Sequence, residues 1–520
     1  MPAANCIVRR LLLVQSRTVA LHGEGGPFFF SYLSLWAVDC MSGTCVTSIV
    51  GAVPRSRRLF VIAVVVFAGM LVNGEKSPAA SGFFDKDRPN IVFILADDLG
   101  YGDLGCYGQT RIQTPELDRM AAEGMRFTQF YAGSTVCAPS RCVLMTGRHT
   151  GRCYIRGNRR LSLRPDDLTV AELLKQAGYA TALVGKWGLG QEGSDGVPTH
   201  QGFDHFFGYL DQVHAHNYYP TFLMRNEQRV LLKNVVPDEG KYGQGMASKR
   251  VQYSHDLFID DALSFIDANK ERPFFLYFAA TIPHANNEAR DEGMEIPDYG
   301  QYAKTDWPDA QKGLAAMISR LDRDVGRILR RLEKHGIDRD TIVFFTSDNG
   351  PHSEGGNDST YFDSNGPLRG MKRDLYDGGI RVPLVVRWPG HVPGGSVSPH
   401  VAYFGDFLAT AAELAGVDLD VPTDGISFLP ELLGEADRQL THDYLYWEFY
   451  ERGSAQAVRL GEWKGVVSPL RGEQIELYHL PSDPAEAHDV AAAHPEVLAR
   501  IREALLHAHV PSDLWKPRGR

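Results

Sequence analysis

The sequence predicts an α/β fold: a large, mostly parallel, doubly wound sheet with helices on both faces, plus a smaller C-terminal antiparallel subdomain. Three observations predict it. The runs Asn90–Ala96 and Thr341–Ser347 are almost wholly apolar and rich in β-branched and aromatic residues, as strands buried on both faces of a parallel sheet must be. Between them, apolar strand-like runs alternate with segments of helical period. From about residue 436 the character changes to short strands separated by polar turns.

The elements follow in order. Asn90–Ala96 runs directly into Asp97-Asp98 and then Gly100. Two carboxylates do not belong in an apolar core, so they lie where the strand emerges, the edge at which open α/β sheets bind ligands. Pro139 suits the first turn of a helix that Val143-Leu144-Met145 continue and Gly147 ends. Residues 169–177 read as a helix, and 180–184 as a short strand ending at Gly185-Lys186-Trp187-Gly188. A helix over 254–268 repeats Leu257, Asp261 and Phe265 on its faces, and the strand 273–280 leads to Ile282-Pro283-His284. In 311–334, Met317, Leu321, Val325, Ile328 and Leu332 keep helical spacing. Thr341–Ser347 then delivers Asp348-Asn349-Gly350, and 382–386 is a further buried strand. Strands at 444–449, 457–460, 463–467 and 475–479 form a meander closed by a helix over 495–508. The expected domains are an extension at 1–88, a catalytic α/β domain at 89–435 and the antiparallel subdomain at 436–520.

The 520 residues carry a net charge of −10, which argues against nucleic acid and against a broadly basic surface, so any anion site must be local. Residues 59–72 are an apolar run broken only by Gly69, preceded by Arg55, Arg57 and Arg58 and followed by small residues at Ser77-Pro78-Ala79-Ala80. The run is short for a membrane span and fits an export signal, so the protein is expected in the periplasm or secreted. The residues before it are unusual for a signal: either the start is Met41 or the segment stays as a membrane anchor. Of seven cysteines, Cys6, Cys40 and Cys45 precede this run; Cys106, Cys137, Cys142 and Cys153 follow it without zinc-like spacing.

Two constellations carry chemistry. Asp97, Asp98, Asp348 and Asn349 converge from two strand ends as a hard, all-oxygen cluster, which repels itself unless a cation sits in it and which selects Ca²⁺ or Mg²⁺ over zinc. Cys137 opens a helix close to Arg141, a setting that lowers a thiol pKa and favours anions.

The run Cys137-Ala138-Pro139-Ser140-Arg141, followed after four residues by Thr146-Gly147-Arg148, resembles the signature of the formylglycine-dependent sulfatases, within the alkaline phosphatase superfamily. The likeness extends from about Pro89 to the C-terminus. It implies a sulfuric ester hydrolase in which the cysteine is oxidised to formylglycine (3-oxoalanine) by a formylglycine-generating or other sulfatase-maturing enzyme. One hydroxyl of the aldehyde hydrate attacks sulfur, and loss of a proton from the other expels sulfate. Oxidation of Cys137 leaves three cysteines after the export run, enough for one disulfide at most. The resemblance places one Ca²⁺ on Asp97, Asp98, Asp348, Asn349 and the residue at Cys137. It makes Arg141 the group that orients the modified residue, Lys186 and Lys372 the sulfate-binding lysines, and His284 the proton donor to the leaving oxygen. The substrate would be a sulfated small molecule or saccharide.

One position departs from the pattern. Gly188 stands where the family's G-K-W-H-L-G run has a histidine associated with elimination. Glycine moves no protons and leaves space beside Lys186. His214 and His216, in Val213-His214-Ala215-His216-Asn217-Tyr218-Tyr219-Pro220, are the nearest chemical replacements, and they could equally bind a sugar or pack among aromatics. The rival readings are a phosphomonoester or phosphonate hydrolase on the same scaffold, and a non-catalytic binder of sulfated glycans if Cys137 stays a thiol.

Overall fold

Along Asn90–Ala96 (β1), Ile91, Phe93 and Leu95 enter one hydrophobic core while Val92, Ile94 and Ala96 enter another. Phe274–Ala279 behaves alike, with Phe275, Tyr277 and Ala279 on the first side and Phe274, Leu276 and Phe278 on the second. Successive side chains point to opposite faces, so an unbroken apolar run is what a sheet covered on both faces demands. In this computed structural model, residues 12–23, 26–41, 44–49, 88–451, 453–468 and 474–516 are described.

The sheet has ten strands. After β1 come Met125–Tyr131 (β2), Ala180–Lys186 (β3), His205–Tyr209 (β4), Phe222–Arg225 (β5) and Gln228–Leu231 (β6). Then follow Phe274–Ala279 (β7), Thr341–Ser347 (β8), Arg381–Arg387 (β9) and Ser396–Tyr403 (β10). Their order across the sheet is β10-β2-β9-β8-β1-β7-β3-β4-β5-β6. The central block β8-β1-β7-β3-β4 is parallel throughout. Outside it, β9 runs antiparallel to both neighbours, and β5 and β6 form an antiparallel edge.

Helices cover both faces. Cys137–Thr146, Val170–Gln176 and Asp406–Ala415 pack on the core that holds Phe93. Pro115–Ala122, Ser254–Asn269 and the 27-residue Asp309–His335 pack on the core that holds Ile94. Val170–Gln176 starts at a capping box, in which Thr169 and Glu172 satisfy each other's backbone N–H groups. The last strands, Leu445–Phe449, Ala455–Leu460, Trp463–Val467 and Ile475–His479, form an antiparallel meander. Pro495–Ala508 packs its Ile501 against Val458 and Leu477.

The chain falls into two compact units, Met1–Ser77 and Pro78–Arg520. The first unit contains a three-stranded antiparallel sheet, Leu12–Gly23, Gly26–Met41 and Thr44–Ile49. The apolar run at 59–72, expected to be an export signal or anchor, lies outside the described residues. Among the described residues no helix is long and apolar enough to cross a membrane. Cys106, Cys137, Cys142 and Cys153 are free thiols.

Candidate active site

Cys137 is the first residue of the helix Cys137–Thr146, all ten residues of which are buried. The Ala138 N–H donates to Asn158 Oδ1 at 3.1 Å, satisfying one of the free donors of the first turn. Ser140 accepts from Gly133 N–H and donates to the Asp348 carbonyl, fixing the helix against the strand end. The Cys137 side chain is 2% exposed, and its Sγ lies 3.5 Å from Asp97 Oδ1. The expected lowering of its pKa is not found. Burial pushes the thiol well above its ordinary value, Asp97 and Asp348 add to the rise, and Lys186 only partly offsets them. The Arg141 guanidinium is engaged elsewhere.

Parallel neighbours end at the same sheet edge, and four of them deliver the rest. β1 brings Asp97 and Asp98, β8 brings Asp348 and Asn349, β3 ends in Lys186, and the turn after β7 carries His284. Arg141 donates to Asp348 Oδ2 through Nε (3.0 Å) and Nη2 (2.9 Å), and to the Lys186 carbonyl at 2.7 Å. This fork geometry is the reason for arginine rather than lysine. Lys186 Nζ donates to Asp97 Oδ2 at 2.7 Å. Lys372 Nζ, from the loop before β9, donates to Asp98 Oδ2 (2.7 Å), Glu354 Oε2 (3.1 Å) and His284 Nε2 (3.1 Å). His284 Nδ1 faces the Ala285 carbonyl at 2.7 Å, which assigns its proton to Nδ1 and leaves Nε2 to accept from Lys372. Burial and then Lys372 hold this imidazole well below its ordinary pKa.

The oxygen cluster passes a direct test of fit for a hard cation. Asp97, Asp98 and Asp348 are each at most 1% exposed. Burial and the Asp97 charge push Asp348 up to about 7 in spite of Arg141, as crowding of buried carboxylates does. Asn349 donates its amide N–H to Asp98 Oδ1, while its own Oδ1 is buried with no hydrogen-bond partner. Donor atoms of Asp97, Asp98, Cys137 and His284 all lie within 4.8 Å of one another. An orphaned amide oxygen beside three buried carboxylates suits Ca²⁺ or Mg²⁺.

A cavity of about 230 Å³ opens over these groups, with Cys137, Lys186, His284, Lys372 and His216 in its wall. His216 stacks on His284 at 5.1 Å between ring centres, and its Nδ1 lies 3.2 Å from Glu288 Oε2. His214 does not join them. Its ring is wedged between Tyr209 and Phe222 in a neighbouring cavity, because the short helical turn His214–His216 sends the two rings different ways. The space beside Gly188 is taken by Gln212, whose Cγ would stand 3.0 Å from a Cβ at that position. Sequence reasoning missed Gln212, Glu288, Asn158, Glu354 and Arg373, which lie on loops or, for Glu288, on the short 3₁₀ helix Asn287–Glu292, without a periodic signal. Glu354, five residues beyond Asn349, had the best chance of being found, as the carboxylate shared by Lys372 and Arg373.

The sulfatase family model matches residues 89–417, and a second model, the C-terminal region of N-sulphoglucosamine sulphohydrolase, matches 370–510. The chain belongs to the sulfatase family. It is an enzyme of that family, a hydrolase of sulfate esters. Among its curated relatives, N-acetylgalactosamine-6-sulfatase of Sus scrofa is 31% identical over 88% of this chain and 90% of its own length. Arylsulfatase A of Homo sapiens is 34% identical over 82% and 89%. Among solved structures, Ps i-CgsB superposes with a TM-score of 0.69 at 28% identity, covering 81% of this sulfatase and 92% of that chain.

Proposed function

We propose that this sulfatase removes sulfate from monoesters of a saccharide, with formylglycine at the Cys137 position and one Ca²⁺ held by Asp97, Asp98, Asp348, Asn349 and the residue at 137. The observation that carries the reading is the convergence of Cys137, two lysines, an arginine and a histidine on one buried carboxylate cluster. Support for a saccharide comes from relatives: one is named for N-acetylgalactosamine-6-sulfate chemistry, and Ps i-CgsB is also solved with a neocarrahexaose. Export, with maturation by a formylglycine-generating or other sulfatase-maturing enzyme, belongs to the same proposal.

Formylglycine would supply a geminal diol, one hydroxyl to attack sulfur and a second whose deprotonation lets sulfate leave. Ca²⁺ would supply Lewis acidity and charge neutralisation for the oxygen cluster. The protein's own groups do the rest. Lys186 and Lys372 present two ammonium groups to the sulfate oxygens, each held in place by a buried aspartate. Burial and then the Lys372 charge keep His284 neutral, and an anion bound against Lys372 offsets the second, so that Nε2 can carry a proton to the leaving oxygen. Arg141 holds Asp348 and the end of β3 in register. His216, oriented by Glu288, is the proton acceptor in this cavity that replaces the histidine absent at Gly188.

Three measurements test the reading. The mass of the tryptic peptide containing Cys137 should show the aldehyde in active protein; a thiol there in fully active enzyme would overturn the mechanism. Calcium-loaded protein should turn over nitrophenyl sulfate far faster than nitrophenyl phosphate, and the reverse order would make it a phosphomonoesterase. Chelation should abolish activity and lower the melting temperature, and Asp348→Ala should reproduce the loss of activity.

A further inference from the structure

A helix N-terminus needs acceptors for its free N–H groups, and Ser, Thr, Asp or Asn normally supplies one from the residue just before. Val136 holds that position in front of the helix Cys137–Thr146, and its side chain accepts nothing. The acceptor comes instead from 20 residues away: it is Asn158 Oδ1, on the N–H of Ala138, next to Cys137. Asn158 belongs to no helix or strand and is exposed, so its position must be set by its neighbours.

The C-terminal tail sets it. Beyond the helix Pro495–Ala508 the chain runs along residues 151–159 and touches them repeatedly. Val510 donates its N–H to the Gly151 carbonyl (3.0 Å) and accepts from Arg156 Nη1 (2.8 Å). Trp515 Nε1 donates to the Tyr154 carbonyl at 2.8 Å. Arg159 donates to the Leu514 carbonyl, and its guanidinium lies 4.6 Å from the centre of the Trp515 ring. A Cβ on Gly157 would stand 2.7 Å from Trp515 Cζ3, so the indole rests directly on the main chain there. Both residues flanking Asn158 are thus held by Leu514 and Trp515. Trp515 is itself fixed, being 2% exposed and packed on Tyr450 with 5.4 Å between ring centres. A buried indole with its N–H satisfied makes a rigid support.

We infer that the tail from Val510 to Trp515 is a strap that aligns the reacting residue: Trp515 and Asn158 are positioning residues for residue 137, acting through the Ala138 N–H. The inference rests on residue 137 being the nucleophile, as proposed above, and needs neither the saccharide nor the metal. A misplacement of about 1 Å can cost roughly 10²-fold in rate. Both residues act on the enzyme's own reacting segment, so their loss falls on kcat rather than on KM.

Steady-state kinetics on nitrophenyl sulfate test the strap, with kcat counted per chain whose residue-137 peptide carries the aldehyde mass. Asn158→Ala should lower kcat by roughly 10–10²-fold and leave KM nearly unchanged. Asn158→Asp keeps an acceptor oxygen and should recover most of kcat. Trp515→Ala should reproduce the loss, while Trp515→Phe, which keeps a ring, should retain more of kcat. Gly157→Ala strikes the same contact from the other side, at a residue whose φ is not left-handed, and should lower kcat even where Trp515→Ala folds poorly. Two residues acting through one N–H are not additive, so N158A/W515A should be no slower than the slower single variant. The strap is overturned if Asn158→Ala keeps the wild-type kcat, if its effect falls on KM alone, or if Trp515→Ala and Gly157→Ala both keep kcat. A double variant that multiplies the two single losses overturns it as well. Active wild-type enzyme with a thiol at 137 would instead overturn the nucleophile on which the inference rests.

Discussion

His216 and His284 stack in one cavity, yet their hydrogen bonds give them opposite tasks. His284 is pinned through Nδ1 to a backbone carbonyl and faces Lys372 with Nε2, beside the two lysines proposed to hold sulfate. His216 is held through Nδ1 by a carboxylate, the arrangement that strengthens an imidazole as a base. Loss of a positioned acid or base typically costs roughly 10²–10⁴-fold. His284→Ala should therefore slow release of the alcohol by that order, most for poor leaving groups. His216→Ala should release the first alcohol in a burst and then stall as the sulfated enzyme; pre-steady-state kinetics without a burst would remove His216 from that role. Glu288→Gln should show a weaker form of the same stall. The carboxylates were legible in the sequence because charged residues at the ends of apolar strands have one place to go, whereas Lys186 and Lys372 were singled out only through the family motifs that surround them. Glu288, Gln212 and the divergence of His214 from His216 were not, since loop conformation decides them.

At the scale of elements, the helix Cys137–Thr146 is held at both ends. Its start is fixed by Asn158, and its end by Gly147, which adopts φ 66° and stands close to neighbouring side chains. A Cβ there would lie 2.6 Å from Thr423 Oγ1 and 2.9 Å from Leu408 Cδ2. Gly147→Ala therefore combines left-handed strain with a clash, and should cost about 1 kcal/mol or more in denaturant unfolding. A neutral result would mean that the segment around Thr423 yields freely. Central strands were readable because burial on both faces writes an unbroken apolar run. Ser396–Tyr403 escaped for the opposite reason: it is an edge strand, contains Pro399 and exposes Val397, so its sequence alternates weakly. Met125–Tyr131 escaped because half-buried polar residues interrupt its apolar positions.

At the scale of the molecule, the C-terminal meander reaches the active site through one buried ion cluster. Lys464, on Trp463–Val467, is fully buried and pairs with Asp377 at 2.7 Å and with Glu486 at 2.9 Å. Asp377 follows the loop that carries Lys372, so the meander braces the segment holding a lysine proposed to bind sulfate. Burial pushes Asp377 up, but Lys464 and then Arg381 and Arg459 outweigh it and hold the carboxyl at about 2, below its ordinary 3.8. Burial instead pushes Glu486 up to about 7, so of its two partners Lys464 serves Asp377 first. A depressed aspartate contributes stability that is present above pH 3.8 and is lost as pH falls towards 2. Lys464→Met removes one partner of a buried pair, a change that costs about 3–5 kcal/mol. The variant should melt well below wild type at neutral pH, and its acid unfolding should begin at higher pH, because Asp377 no longer resists protonation. The double variant K464M/D377N removes both charges of the central pair, at the cost of the carboxylate that Arg381 also uses, and should recover part of the melting temperature. If the double variant melts no higher than Lys464→Met alone, the lysine's packing rather than its charge holds the two sheets together.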